Sequence, residues 1–237
     1  MNFFLPHLLR KLRDARLTRR GATHHPHSVA TGIHKAYPRM KSVVLPAPAL
    51  EADLSETLLR RHSVASGIGE PDTEIRLQEL GTLLGLALGK REGSRTRNYP
   101  SGGALYPIET YLVANAIESE VPGIFHYNPS GHVLERLWDL PPAFSMQELA
   151  RRPDDLRIST LLVFTSVWER SSAKYGDLAF LHALLEAGHM SENILLVGTA
   201  LGLHMRPYAG FNDALLARLL DIREEEEQAV HTIALCK

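Results

Sequence analysis

One stretch constrains this chain more than any other: DLAFLHALLEAGHMSENILLVGTALGL, residues 177–203, where apolar side chains nearly encircle a helix. A helix that is apolar around most of its circumference is stable only when most of it is covered. The rest of the chain must therefore be built around it. Gly188, Ser191 and Gly198 keep the helix slim enough for close neighbours. With 237 residues, 44% of them hydrophobic, there is material for one large domain or two small ones.

The cover is mixed. Residues 109–115, 122–128, 132–138 and 158–166 read as strands, the middle two joined by the turn NPSG as a hairpin, and AVHTIALCK reads as a last strand. Between them lie helical patterns. DLSETLLRRH opens on Asp53 or Ser55 as cap, and a helix after Asp72 and Thr73 repeats Leu77, Leu80, Leu84 and Leu88 on one face. GLALGK ends that helix with Gly89 at its cap. NDALLARLL is a capped helix, and DIREEEEQ a solvated charged turn. Helices and strands without regular alternation predict an α+β fold. Residues 1–52 read as an N-terminal arm, a basic amphipathic helix followed by a proline-rich extended segment, and residues 53–237 as the domain proper.

A net charge of −1 gives no surplus to neutralise phosphates, so nucleic acid is not expected as a partner. No membrane span is expected either, since no uninterrupted apolar run reaches the required ~18 residues. The N-terminal apolar residues precede the basic ones, the reverse of a secretory signal, and the single cysteine, Cys236, fits a reducing, cytoplasmic setting. His24, His25 and His27 lack helical spacing and acidic or cysteine partners, so no metal is expected. There is no P-loop, no G-x-G-x-x-G after a strand and no G-x-S-x-G.

Three stretches carry the chemistry. RRHS, residues 60–63, crowds the cations Arg60 and Arg61, the imidazole of His62 and the hydroxyl of Ser63, which suits an anionic phosphate. In RNYPSGGALYPIETYLV, residues 97–113, Ser101, Gly102 and Gly103 offer backbone donors free of side-chain obstruction, with Arg97 and Pro100 ahead of them. In RPYAGF, residues 206–211, Pro207 and Gly210 fix a backbone path beside Arg206 on which a flat ring could lie.

Together these stretches resemble the nitroreductase superfamily of flavoproteins, and within it the SagB-type thiazoline/oxazoline dehydrogenase branch. Arg61, His62 and Ser63 match the superfamily's R-[RH]-S element. Arg97, Pro100, Ser101, Gly102, Gly103, Ala104, Leu105, Tyr106, Pro107 and Glu109 reproduce the branch's R-x-x-P-S-G-G-A-L-Y-P-x-E. PGIFHYNPSGHVLERL and LLEAGHMSENILLVGTALGL are similar to its hairpin and central helix. The resemblance implies a nitroreductase-like fold with a mixed or antiparallel central sheet, and FMN as cofactor. It implies that Arg60, Arg61, His62 and Ser63 hold the phosphate end, and that the glycines and Arg97 lie against the pyrimidine edge of the ring. Asn193, Arg206, Pro207 and Gly210 would complete the site. Ala65 stands where a further basic residue is usual, and Arg60 or Lys237 is the candidate replacement. With the apolar circumference of the long helix, the resemblance also predicts a homodimer.

Lys174 and Tyr175, in SSAKYGDLAF, resemble the adjacent Lys-Tyr pair of azoline oxidases in this branch. Turning an azoline into an azole removes a ring proton and a hydride, and a lysine or tyrosine of lowered pKa can take the proton. The two are expected on a loop bent at Gly176. The implied activity is FMN-dependent oxidation of thiazoline or oxazoline rings in a peptide or carrier-bound peptide, with a cyclodehydratase or peptide synthetase as partner. The alternatives are an NAD(P)H-dependent nitro or quinone reductase, and a non-catalytic subunit of a biosynthetic complex.

Overall fold

The strand-like runs pair into one seven-stranded sheet in a computed structural model that describes residues 33–64, 74–149 and 158–236. The strands are β1 (Lys41–Val44), β2 (Ile108–Ala114), β3 (Gly123–Asn128), β4 (Val133–Asp139), β5 (Thr160–Val167), β6 (His204–Tyr208) and β7 (Glu227–Cys236). Their order across the sheet is β1-β4-β3-β2-β5-β7-β6, and every pairing is antiparallel. Five α-helices among the described residues accompany them: α1 (Leu54–Arg60), α2 (Leu77–Leu88), α3 (Glu169–Tyr175), α4 (Leu178–Ala200) and α5 (Asp213–Leu220). The α+β class is as expected.

Side chains of a strand alternate between faces, and here each face has its own core. Leu112, Phe125 and Phe164 pack with Leu80 and Leu84 of α2 and Met190 and Ile194 of α4. Tyr111, Val113 and Val163 pack on the other face with Leu216 and Leu220 of α5. Central β2 is buried at all seven positions, so its one charged residue, Glu109, has to find its partners inside the protein. Gly198 is where α4 meets β6: a Cβ there would displace the end of the Met205 side chain from its present packing.

Local signals work as read. Asp53 caps α1 by accepting from the Glu56 N–H at 2.8 Å, Asn212 caps α5 through Leu215 N–H, and α2 stops at Gly89. Asn128 Oδ1 accepts from Ser130 N–H and folds the β3–β4 hairpin. Three further features were not legible locally. The arm supplies β1 as an edge strand on β4, so the sheet begins ahead of residue 53. The start of RPYAGF lies in a strand: His204 to Tyr208 pair with β7, and Pro207 is tolerated because β6 is an edge strand. Lys174 and Tyr175 lie in the last turn of α3 rather than on a loop, and Gly176, at φ 51°, ends that helix. α2 begins at Leu77 with Glu79 folding back on Arg76 N–H. Asp72 and Thr73, Ala65, the basic opening segment, His24, His25, His27 and Lys237 lie outside the described residues. Among the described residues, no helix is long and apolar enough to cross a membrane.

Candidate functional site

The Gly-rich loop between α2 and β2 is held in an unusual backbone path. Gly103, Ala104 and Tyr106 all take positive φ (69°, 53° and 48°), a region that costs non-glycine residues free energy and is kept only when surroundings enforce it. The enforcement is visible. Arg97 N–H donates to the Tyr106 hydroxyl at 3.0 Å, and Tyr106 N–H donates to Ser101 Oγ at 2.9 Å. The Arg97 guanidinium is 6% exposed; it donates to the Tyr99 hydroxyl and to the Ile33 carbonyl, each at 2.7 Å, and lies over the Tyr106 ring. A buried guanidinium is stable only with its donors satisfied. Arg97 therefore sits beneath the loop, tying its two ends to the arm, rather than on its open face. Pro100 is exposed, while Ser101 and Gly102 are half-buried.

Two helices close on this loop. A Cβ added at Gly103 would lie 2.5 Å from the Tyr175 hydroxyl and 2.9 Å from Lys174 Nζ, so the pair at the end of α3 converges on the position from which a side chain is missing. Lys174 Nζ also lies 5.3 Å from the centre of the Tyr175 ring. His182, in the first turns of α4, lies against Gly102 and meets Tyr175 edge-on with ring centres 4.4 Å apart. One turn further, Ser101 Oγ bonds to buried Glu186. His182 and Glu186 were hidden in the sequence by an otherwise apolar helix. Their signal was the i, i+4 spacing of two polar groups on a helix that has to be buried.

Behind the loop runs a buried polar network. Glu109 of β2 receives the Arg170 guanidinium at 2.5 Å, Lys35 N–H at 2.6 Å and His126 Nε2 at 3.0 Å; His126 Nδ1 in turn meets Glu135 at 2.9 Å. Arg170 also donates to the Tyr106 carbonyl at 3.0 Å, clamping α3 to the end of the Gly-rich loop. Burial alone would raise the Glu109 pKa, but the His126 hydrogen bond and the charges of Arg170, His126 and Arg97 hold it down at about 2. For His126, burial lowers the pKa and the bonds to Glu109 and Glu135 outweigh it, raising it.

The RRHS segment lies further along α4, beside β6. Arg61 Nε is 3.7 Å from Glu192 Oε1, and Val64 N–H donates to the Met205 carbonyl, setting the segment beside β6, whose next residue is Arg206. Arg60 instead pairs with Glu56 on the exposed side of α1, His62 folds onto the Arg60 carbonyl, and Ser63 is exposed. Asn193 donates to the Ala87 and Asn98 carbonyls at 3.2 Å each, joining α4 to the end of α2 and the start of the loop. Pro207 pairs with Ile233 in the sheet, and Gly210 passes close to the Tyr208 ring. The sites split into two groups along one helix. From His182 to Glu192 is ten residues of α4, about 15 Å at the helical rise.

The antiparallel sheet thus packs on a long helix that carries the Gly-rich loop near its start and the Arg-Arg-His-Ser segment further along. The nitroreductase family model matches residues 70–235, and the chain belongs to that family. It is 29% identical over 73% of its length to MJ1384, a Methanocaldococcus jannaschii protein named as a nitroreductase, 87% of which is covered. It is 31% identical over 68% of its length to the microcin B17-processing protein McbC of Escherichia coli, of which the match spans 62%. Its fold is shared with a chain of the E. coli microcin synthetase McbBCD complex with truncated pro-MccB17 bound, at a TM-score of 0.64 and 23% identity, over 98% of this chain and 93% of that one.

Proposed function

We propose that the protein is an FMN-dependent dehydrogenase that oxidises thiazoline or oxazoline rings to thiazoles or oxazoles in a peptide, with dioxygen as final acceptor. One observation carries this reading: Lys174 and Tyr175 converge on Gly103, so two groups that can exchange protons stand against the loop backbone, an approach possible only because a Cβ is missing. Similarity to a protein that processes microcin B17, and a shared fold with a chain of a synthetase complex holding a pro-peptide, support a peptide substrate and a cyclodehydratase-type partner. The alternative, reduction of nitro compounds or quinones with NAD(P)H, has no need of the pair.

The residues present fit FMN. Ser101 to Gly103 would receive the polar ring edge through backbone N–H groups, and Arg61, Ser63 and Arg206 would hold the phosphate end. The chemistry that bound FMN contributes is acceptance of two electrons and a hydrogen from the ring. The chain's own task is to orient the ring against the glycines and to hold the proton that leaves its carbon, on Lys174 Nζ or the Tyr175 hydroxyl. The test is incubation of the purified protein with an azoline-containing peptide in air, followed by mass spectrometry. Loss of two hydrogens per ring supports the reading; no loss, with rapid NADH oxidation in the presence of menadione or nitrofurazone, overturns it in favour of the reductase.

Arg61→Ala is expected to weaken FMN binding by about 1.5–3 kcal/mol, the worth of a charge-assisted hydrogen bond. Fluorescence titration of the apoprotein measures this, and an unchanged dissociation constant removes Arg61 from the phosphate site.

The same reading makes the protein a homodimer. Phe180, Leu184 and Leu185 stand 40–53% exposed on α4, Gly188 faces open space among them, and Leu54, Leu58 and Leu59 are exposed on neighbouring α1. A second copy is the occupant that would cover this face. Sedimentation at micromolar concentration is expected to give a dimer, and a flavin-loaded monomer would refute it.

A further inference from the structure

Glu186 is a carboxyl group at the back of the Gly-rich loop that the reaction as described leaves without a task. It is 1% exposed, its Oε2 is bonded to Ser101 Oγ, and its Oε1 makes no hydrogen bond of good geometry, the Ile108 backbone N–H of β2 being the one other donor that acts on the carboxyl. Leaving half of a buried carboxylate poorly matched is costly, so a structural role alone explains the group poorly. Ser101 Oγ, its partner, already accepts the Tyr106 N–H at 2.9 Å and opens the segment Ser101–Gly103. A hydroxyl has one proton to donate and two lone pairs. While Glu186 is ionised, that single proton is committed to its carboxylate. When Glu186 carries a proton, it donates to Ser101 Oγ, and the Ser101 proton is released toward whatever lies on the loop.

We propose that Glu186 is a proton-linked positioning residue of the cofactor site: it takes a proton from solvent when negative charge arrives on the ligand at Ser101–Gly103, and thereby turns the Ser101 hydroxyl from acceptor toward that ligand to donor. This rests on the reading of the loop as the flavin-binding element. The exchange balances. One proton enters from solvent onto Oε2, the Ser101 O–H changes its acceptor, no covalent bond to carbon or oxygen is otherwise made or broken, and the two electrons come from the ring being oxidised. The groups that face Glu186 set the threshold. Burial raises its pKa and pushes it up to about 7, against the Ser101 hydrogen bond, the guanidinium of Arg97, from the loop, the Ile108 backbone N–H, from β2, and the guanidinium of Arg170, from α3. Tyr99 also lies in its field, and His182 is the titratable neighbour one turn back on α4. The site is therefore poised where arriving negative charge changes its protonation.

The experiment is the midpoint potential of the FMN-loaded protein against pH, with the oxidised and reduced affinities measured alongside. A carboxyl that is ionised before reduction and protonated after it adds one proton per two electrons. The slope then steepens by a factor of ten in the equilibrium constant per pH unit, or about 30 mV for a two-electron couple. In the wild type the steeper limb is expected to begin near pH 7. In Glu186→Gln, which mimics the protonated form in shape and charge, the limb is absent and the potential above pH 7 is higher. Glu186→Asp keeps a titrating group and is expected to retain a break at a shifted pH, which serves if the glutamine variant folds poorly. The same slope in wild type and Glu186→Gln overturns the proposal while leaving the flavin reading intact. A protein that takes up no flavin overturns both.

Discussion

Lys174→Ala and Tyr175→Phe are each expected to lower azoline oxidation by about 10²-fold or more, the usual worth of a positioned general base, while the protein stays yellow and dimeric. The separation follows from the geometry. Both side chains sit above Gly103 at the end of α3, whereas Arg61, Ser63 and Arg206 stand further along α4. Removing the pair leaves the proposed phosphate end and the loop backbone untouched. Reduction of an artificial nitro acceptor, which needs no proton taken from carbon, should fall much less. Steady-state oxidation of an azoline peptide, beside the flavin absorbance and the sedimentation of each variant, decides the matter. Full oxidation in both variants removes the assigned bases. Loss of flavin instead makes the pair structural, and Gly103→Ala then gives a second measure: at φ 69° and with its Cβ against both groups, it should disturb the same function without touching either residue.

The sequence made this site legible in pieces because each piece had a local physical cause. Two adjacent glycines before an apolar strand announce a close approach, and the cluster of arginines announces an anion. A helix apolar all round announces burial, and Asp53, Asn212 and Gly89 mark helix ends by local hydrogen bonding. What stayed hidden is non-local. β1 is four residues of an extended arm whose strand character comes only from pairing with β4, and β6 contains a proline that a strand tolerates only at an edge. Arg97, expected from the resemblance near the ring edge, is 6% exposed, and that burial depends on Tyr99, Tyr106 and the Ile33 carbonyl, 64 residues away. Glu227, taken with a solvated acidic turn, is 3% exposed, and it meets Lys35, Tyr111 and Thr165 from three other segments. Partners that far apart in the chain leave no local pattern.

The network around Glu109 belongs to that non-local class, and it carries the largest stability effect expected of a single side chain here. Glu109→Gln keeps the shape of the side chain but leaves the Arg170 guanidinium and His126 in the core without their shared counter-charge. Breaking a buried ion pair from one side costs about 3–5 kcal/mol. An independent route agrees: a carboxyl held at about 2 against an ordinary 4.5 corresponds to about 3 kcal/mol. The pH dependence has a definite sign. Because the Glu109 pKa is depressed on folding, its contribution is fully present above pH 4.5 and is lost as the pH falls toward 2. His126 runs the other way. Its raised pKa gives stability that is complete below 6.5 and is lost as the pH climbs through the folded value. The network is therefore strongest between about pH 4.5 and 6.5. Urea unfolding of wild type and Glu109→Gln at equal protein and flavin concentrations is expected to differ most in that window and to converge as the pH drops toward 2. A constant difference across the acid range would show that the glutamine disturbs packing rather than charge. Because Arg170 precedes Lys174 by one turn on α3 and also grips the Tyr106 carbonyl, the charge that stabilises the core also fixes the proposed bases over Gly103.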